Sequence, residues 1–364
     1  MLWFLTLTQS CNLACKYCGS SENFDIEDLS PHPREISFDL NLLKRIQKDP
    51  DPVIAFYGGE PLLKMRLFKQ IMELIPNAKY VLQTNAILLS KLKTEILHKF
   101  DCILISVDGD EKVTDYNRGE GTYQKVLENI RNIRERGFKG DLIARMTISE
   151  VSDIYTDVLH LISLGLFDHI HWQIDCLWDS EMTARWKDFY KWRDEIYNPG
   201  ITKLAALFIE ELRKGNVLPI VPFLGLLSSF IEGKKATLRC GAGRTSFNIT
   251  TGGYVNACPV APEFDPISKL DDDFDPNSVR DSVFIGGLCN DCEILDKCGG
   301  RCLYTNKNMW WGKKGFRAVC NTVKHLVAQM DEILPEVKDL AQKKVFDMDL
   351  MNYPKYNNTC EIIP

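Results

Sequence analysis

The chain has 364 residues, of which 45% are hydrophobic and 26% charged, with a formal net charge of −6. These values are typical of a globular protein with a substantial core, and we expect one large domain and a smaller one. No stretch concentrates Lys and Arg with interleaved aromatic residues, which disfavours a nucleic-acid substrate. The sequence has neither a signal peptide nor an apolar run of the roughly 18 residues that span a bilayer. We therefore predict a cytoplasmic protein that binds neither nucleic acid nor membrane.

Six short β-rich runs alternate with helical patterns from residue 3 to about 175. The runs read as strands are LWFLTLT, PVIAFYGG, KYVLQTNA, CILISVDG, DLIARMTIS and HIHWQID. The segments read as helices are FDLNLLKRIQK, RLFKQIMELI, KLKTEILHKF, TYQKVLENIRNIRERG and YTDVLHLISLG. Such alternation predicts a parallel sheet with right-handed crossovers. Two architectures satisfy it: an open doubly wound sheet, or a partial or complete barrel.

The rest of the chain differs from the first part in its composition and in its predicted elements. Helical patterns continue to residue 215, and residues 216–235 read as a bridge whose two prolines break regular structure. Residues 236–346 are rich in Gly, Cys, Pro and Asp, with a closing amphipathic helix over 316–346, and residues 347–364 read as a tail. Because the cysteine-rich part cannot bury enough apolar surface alone, we expect bound metal to stabilise it.

Thirteen cysteines are many for a cytoplasmic chain, in which disulfides have no lasting stability, so metal ligation is favoured. Cys11, Cys15 and Cys18 follow the first predicted strand with C-x3-C-x2-C spacing. A structural zinc site needs four ligands, and no fourth Cys or His lies nearby in the sequence. Three thiolates on a tight loop instead suit a cubane cluster that leaves one iron open.

Further motifs stand where the next predicted strands end. GGEP follows the second strand, TNA closes the third and SVDG the fourth. The carboxyl ends of parallel strands meet at one edge, where active sites of such folds lie. Each motif alone is usually a turn or a cap. Their recurrence at successive strand ends is the stronger signal.

The cysteine motif with Tyr17 before its last cysteine, together with YGGEP, QTNA, SVDG and YNRGEGTY, resembles the radical SAM superfamily over residues 3 to 180. The resemblance implies a partial (β/α)6 TIM barrel with a 4Fe-4S cluster on Cys11, Cys15 and Cys18. It also implies S-adenosylmethionine as cofactor, with Gly58, Gly59 and Glu60 holding its methionine ammonium. The other residues implied at or near that cofactor are Tyr17, Asn85, Ser106, Asp108 and Arg118. Arg145 and Gln173 face either the ligand or the barrel interior.

A second cysteine array covers residues 236 to 330 and resembles the SPASM extension, which carries two auxiliary 4Fe-4S clusters. By that resemblance one cluster takes Cys289, Cys292, Cys298 and Cys320, and the other takes Cys240, Cys258 and Cys302. The second would keep an open iron unless another ligand arrives. Structural zinc at one or both sites is the alternative.

These resemblances imply an enzyme that modifies a peptide or protein substrate and draws electrons from an external one-electron reductant such as flavodoxin or ferredoxin. The alternatives are a radical SAM enzyme of small-molecule cofactor biosynthesis and a non-catalytic iron–sulfur electron carrier. Sulfatase-maturing relatives carry an aspartate after the second SPASM cysteine, where this chain has Pro259; Glu263 or Asp265 could be a displaced base. Cys102 and Cys176 read as small buried residues, His169 and His171 as structural or solvent-facing, and Cys360 as a spare ligand.

Overall fold

The computed structural model describes residues 1–18, 32–175, 186–260, 266–309 and 312–354. All six predicted strands are confirmed as β1 Leu2–Thr6, β2 Val53–Tyr57, β3 Lys79–Thr84, β4 Cys102–Ser106, β5 Asp141–Ile148 and β6 His169–Ile174. Each pairs in parallel with the next in chain order. The chain therefore builds the sheet by successive crossovers.

The connections are helical. They are α1 Met65–Leu74, α2 Thr94–Leu97, α3 Glu111–Arg118, α4 Thr122–Glu135 and α5 Ile154–Ser163, and a 3-10 helix over Leu40–Lys48 precedes β2. Helix α3 was not predicted, although its start is marked by Asp110, whose carboxylate accepts the backbone N–H of Val113 at 3.0 Å. Gly119 ends it with a φ of 109°, which favours glycine.

The two faces of the sheet have different partners. Trp3 and Leu5 of β1 join the core formed with the surrounding helices. The alternate side chains Leu2 and Phe4 face inward, where they form a separate apolar cluster with Val53, Ala55, Val81, Cys102, Leu104 and Ile143. Helices outside and strand side chains inside are the arrangement of a partial barrel, so the predicted (β/α)6 fold class is confirmed.

The C-terminal part extends the same sheet. Strand β7, Ser246–Ile249, pairs in parallel with β1, and β8 Tyr254–Asn256 and β9 Ser268–Lys269 follow antiparallel. The sheet order is β6-β5-β4-β3-β2-β1-β7-β8-β9. The cysteine-rich region therefore begins against the edge strand of the barrel.

Helices cover the remaining chain. They are α6 Phe189–Trp192, α7 Asn198–Arg213, α8 Val221–Glu232, α9 Leu295–Cys298, α10 Leu303–Asn308 and α11 Gly312–Gln342. The expectation that both prolines of residues 216–235 break regular structure is wrong for Pro222, which lies in the first turn of α8, where proline is tolerated. Helix α11 packs on α7 and α8. Across the described ranges, no helix has the length and apolarity needed to cross a membrane.

Candidate active site

Cys11, Cys15 and Cys18 lie on one short loop after the carboxyl end of β1. The backbone N–H of Leu13 donates to Cys11 Sγ at 3.4 Å, and the N–H of Cys18 donates to the carbonyl of Cys15 at 2.9 Å. Cys15 is buried, whereas Cys11 is exposed. The loop therefore turns tightly and presents its thiols at the end of the barrel where the strand ends meet.

The thiols of this loop influence each other electrostatically. Burial raises the pKa of Cys15 to about 11; Arg118 opposes that shift, and Cys18 and Cys11 add to it. Burial also raises the pKa of Cys11, with a further contribution from the charge of Glu60. Thiolates so placed repel one another. A cationic group bound among them would relieve that repulsion and favour the deprotonated ligands.

Gly58 and Gly59 pack the end of β2 against the start of the cysteine loop. The N–H of Gly59 donates to the carbonyl of Thr8, and that of Glu60 to the carbonyl of Ser10, each at 2.9 Å. A Cβ on Gly58 would lie 2.3 Å from the Thr8 oxygen, and one on Gly59 2.3 Å from the Ser10 oxygen. The close approach that these glycines permit is to the protein's own backbone, whereas the sequence suggested an approach to a ligand.

Glu60 connects the end of β2 to the end of β3. Its Oε1 accepts the backbone N–H of Leu62 at 2.9 Å and the hydroxyl of Thr84 at 2.7 Å, while Oε2 accepts the N–H of Asn85 at 2.8 Å. Burial raises the pKa of Glu60 to about 7, against the effect of these hydrogen bonds. The carboxylate is only 1% exposed. Glu60 positions Asn85 in this structure, and its contact with the methionine ammonium stays a prediction.

Asn85 carries this connection to the cysteine loop. Its Nδ2 donates to Asn12 Oδ1 at 2.9 Å and lies 3.8 Å from Cys11 Sγ. Amide donors near a thiolate stabilise its charge and, in iron–sulfur proteins, influence the cluster potential. Asn85 thus lies at the predicted site, and it acts on the cysteine loop.

Asp108, at the end of β4, is the centre of a buried network. Arg118 donates from Nε to Asp108 Oδ2 at 2.9 Å and from Nη2 to Oδ1 at 2.8 Å. The Tyr17 hydroxyl donates to Oδ2 at 2.7 Å, and the Thr147 N–H to Oδ1 at 2.9 Å. Burial raises the pKa of Tyr17 well above its usual value. The fork of Arg118 binds Asp108 in this structure, and its contact with the cofactor stays a prediction.

A polar layer lies above the apolar floor of the barrel. Arg145 donates from Nη2 to Gln173 Oε1 at 2.9 Å, so both predicted inward residues lie in the barrel interior. Ser106 is the register partner of Arg145. Tyr57, which the sequence analysis missed, packs on the floor beside Phe4, with ring centroids 5.5 Å apart. Its position just before the GGE motif on an inward-facing site of β2 was the available signal.

Tyr57 lies within electrostatic range of two groups of cysteines. Burial raises its pKa to about 12, and Arg145 opposes that shift. Charges on Cys258 and Cys18 raise the pKa further, so both thiols lie within electrostatic reach of the phenol. Charges of the first cysteine loop and of the C-terminal array therefore act on the same side chain.

Four cysteines of the C-terminal array line one cavity. They are Cys289, Cys292, Cys298 and Cys320, and Arg301 and Lys324 line the cavity with them. Burial raises the pKa of Cys298 to about 11, and the charge of Arg301 opposes that shift. Asn306 donates from Nδ2 to Cys289 Sγ at 3.3 Å. The structure therefore brings together the four cysteines assigned to one auxiliary site.

The other three cysteines surround a small core of their own. Cys240 and Cys258 pack against Leu238, Ala242, Ala257 and Leu303. Burial raises the pKa of Cys302, and the charge of Cys240 adds to that shift. Cys302 directly precedes Leu303, so the second predicted set also shares one place. Cys176, Cys360, Glu263 and Asp265 lie outside the described residues.

The C-terminal donor sets fit an iron–sulfur cluster. No three or more Cys, His, Asp or Glu side chains in the described ranges stand at the spacing of a single-ion site. A tetrahedral zinc ion holds thiolates about 3.8 Å apart, given Zn–S bonds of about 2.3 Å, and a cube of four irons is wider. Arg301 is 2% exposed, and no acceptor in the described structure receives a hydrogen bond from its Nε, Nη1 or Nη2. An anionic iron–sulfur cube would supply sulfide acceptors for these N–H donors.

Comparison with known proteins agrees with this geometry. The family model described as Radical SAM superfamily matches residues 5–155. The cysteine-type anaerobic sulfatase-maturating enzyme of Clostridium perfringens (strain 13 / Type A) is 23% identical over 330 residues, covering 81% of this chain and 86% of the relative. Mycofactocin maturase MftC of Mycobacterium ulcerans (strain Agy99) is 26% identical over 328 residues, covering 82% and 81%.

A solved structure shares the fold. The structure described as "Native anSMEcpe with bound AdoMet and Cp18Cys peptide" matches with a TM-score of 0.72 at 18% identity. The match covers 94% of this chain and 99% of that chain, so it includes both the barrel and the cysteine-rich region.

Proposed function

Because the chain contains a radical SAM domain over residues 5–155 and its C-terminal region fits SPASM-type enzymes, we propose that it modifies a peptide or protein substrate. The observation that carries the proposal is the cysteine loop itself. Three thiols lie on one turn at the barrel mouth, and Asn85 connects that turn to the ends of β2 and β3. A radical SAM domain uses S-adenosylmethionine and a 4Fe-4S cluster, and this loop is where the cluster would bind.

The protein's own residues would hold the cluster and enclose the space in which the reaction takes place. Cys11, Cys15 and Cys18 would ligate the cluster, which when bound supplies the electron that cleaves S-adenosylmethionine to a 5'-deoxyadenosyl radical. Asp108 fixes Tyr17 and with it the last turn of the loop. The apolar floor beneath Tyr57 excludes water from the barrel interior, which protects a reactive intermediate from side reactions.

The C-terminal array supports two auxiliary 4Fe-4S clusters. Cys289, Cys292, Cys298 and Cys320 surround one cavity and would hold the first. Cys240, Cys258 and Cys302 would hold the second. Such clusters would exchange electrons with the substrate radical and with an external one-electron reductant, a flavodoxin or ferredoxin.

A peptide substrate is favoured by the relatives that align along most of this chain. Two of them are named as a sulfatase-maturating enzyme and a mycofactocin maturase, and the matched solved structure holds a peptide. Sulfatase maturation itself is disfavoured, because Pro259 follows Cys258 and offers no carboxylate at that position. We expect another peptide modification.

The first experiment tests the cysteine loop. Wild-type protein is reconstituted anaerobically with iron and sulfide, given dithionite and S-adenosylmethionine, and assayed for 5'-deoxyadenosine. Cys15→Ala removes a ligand, so both loop iron and cleavage should fall to background. Cys102→Ala is the matched control, because Cys102 is buried in the barrel floor away from the loop. Cleavage by Cys15→Ala at the wild-type rate would contradict the proposal, as would zinc in place of iron.

The second experiment tests the substrate class. A short peptide encoded beside this gene is incubated with the active enzyme and examined by mass spectrometry. Loss of two hydrogens would indicate a crosslink, and deuterium uptake from solvent would indicate epimerisation. An unchanged peptide, with turnover of a small molecule in its place, would favour cofactor biosynthesis.

A further inference from the structure

Arg301 is a buried cation whose hydrogen-bond donors bind no acceptor in the part of the chain that the structure describes. The side chain is 2% exposed, and none of Nε, Nη1 or Nη2 finds an acceptor among the described residues. Its guanidinium stacks on Phe316, with Cζ 4.5 Å from the ring centroid. A guanidinium has five N–H donors and cannot lose its charge, so burial without acceptors is strongly unfavourable. The site must therefore contain an anionic acceptor when it is complete.

The backbone shows how the chain places this residue. Gly299, Gly300 and Arg301 have φ values of 77°, 87° and 60°, three successive residues in the left-handed region. Glycine adopts that region freely, but arginine does so with strain. The turn separates Cys298, which lines the four-cysteine cavity, from Cys302, which belongs to the other set. Arg301 thus occupies the junction of the two sets.

A second cation at the same cavity provides a contrast. Lys324 also lines it, but its side chain is 42% exposed and its Nζ contacts Glu293 Oε1 at 2.5 Å. Its charge is paired and screened by water. Arg301 is almost inaccessible to solvent, bonds no carboxylate among the described residues, and lines the cavity together with the four cysteines.

We propose that Arg301 donates hydrogen bonds to the sulfur atoms of the cluster held by Cys289, Cys292, Cys298 and Cys320 and raises its reduction potential. The inference rests on the auxiliary clusters of the proposed function. Reduction adds one electron and hence one negative charge to the cluster, and a fixed cation with N–H donors favours the more negative state. Charge and hydrogen bonds to sulfur are the established means by which proteins set such potentials.

The test uses the full chain carrying Cys11→Ala, Cys15→Ala and Cys18→Ala, so that only auxiliary clusters remain. Arg301→Gln, Arg301→Lys and the control Lys324→Gln are made in this background. Iron and zinc are counted, and each cluster is titrated potentiometrically with detection by electron paramagnetic resonance. Arg301→Gln should lower the reduced-to-oxidised ratio of one cluster at least tenfold at a given poise, a shift of about 59 mV. Arg301→Lys should shift it less in the same direction, and Lys324→Gln should leave it near the background value.

The outcomes separate the two proposals. Zinc in place of iron in the background protein would defeat the auxiliary-cluster assignment before Arg301 is tested. With iron present, an unchanged potential in Arg301→Gln would overturn the role of Arg301. Should Arg301→Gln fail to take up iron, the lysine variant decides: a lowered potential supports the proposal and an unchanged one overturns it.

Discussion

Tyr17 and Asp108 are separated by 91 residues in the sequence, yet the Tyr17 hydroxyl donates to Asp108 Oδ2 at 2.7 Å. Asp108 is fully buried and also accepts the fork of Arg118. The aromatic residue of the cysteine motif is thereby anchored to the end of β4. The loop between Cys15 and Cys18 takes its position from this carboxylate.

Tyr17→Phe should loosen the cysteine loop. The change removes one hydrogen bond to a buried charge, a loss of roughly 1.5–3 kcal/mol in unfolding free energy. Iron should leave the first cluster faster under a chelator, measured by the decay of its absorbance. Tyr123→Phe is the control, since the Tyr123 hydroxyl bonds His160 Nε2 at 2.7 Å away from the loop. Equal iron release from both variants would contradict the anchoring role.

Gly59→Ala should displace the start of the same loop. The new methyl group would lie 2.3 Å from the Ser10 carbonyl oxygen, so one of the two backbones must move. We expect loss of most iron from the first cluster and at least a tenfold fall in 5'-deoxyadenosine formation. Gly165→Ala meets no atom within 4 Å but strains a backbone with φ of 61°. It should cost about 1–2 kcal/mol in stability and keep its iron; iron loss from both would refute a local effect.

The barrel and the cysteine sets could be predicted because they depend on local patterns. Short β-rich runs between amphipathic segments identify β1 to β6, and cysteine spacing identifies the ligand candidates. The same patterns could not show that Glu60 faces inward or that Arg118 binds Asp108. Those orientations follow from which buried charges find partners in three dimensions, and the partner of Arg118 lies ten residues before it, ahead of the start of helix α3.

Two further features could not be predicted from the sequence, each for a different physical reason. Pro222 was read as a helix breaker, but in the first turn of α8 its missing N–H has no helical partner to lose. Arg301 reads as an ordinary surface cation in the sequence. Its burial is known only from the structure, in which the side chain is 2% exposed and its donors bind no acceptor among the described residues.

Asp157→Asn should flatten the pH dependence of stability. Burial raises the pKa of Asp157 from 3.8 to about 7, so the folded state keeps a proton that the unfolded chain has released. The unfolding free energy should therefore fall as pH rises from about 4 to 7, by up to about 4 kcal/mol from this group. Urea unfolding at pH 5 and pH 8 measures the difference.

In Asp157→Asn the part of the pH dependence of the unfolding free energy that comes from Asp157 should disappear. A smaller pH dependence from Glu60 should persist, because the pKa of Glu60 is also raised to about 7. Asp39→Asn is the control: Asp39 is the exposed cap of the 3-10 helix over Leu40–Lys48, where asparagine caps equally well, and it is not among the charges that act on Asp157. It should retain the wild-type slope. A slope in Asp157→Asn as steep as that of the wild type would contradict the assignment.

Tyr57→Phe should leave formation of the radical intact but impair modification of the peptide. The ring would still pack beside Phe4, so the fold and the iron content should be kept. What is lost is the hydroxyl on which charges at both Cys18 and Cys258 act. We expect 5'-deoxyadenosine to form at near the wild-type rate, whereas modified peptide falls at least tenfold.

The ratio of the two products, measured by chromatography with mass spectrometry, is the readout. Tyr80→Phe is the matched control, because the Tyr80 hydroxyl donates to the Ile75 carbonyl at 2.7 Å on the outer face of β3. That variant should lose stability but keep the wild-type ratio. An unchanged ratio in Tyr57→Phe would show that the phenol only fills space, and parallel loss of both products would place its effect on the first cluster.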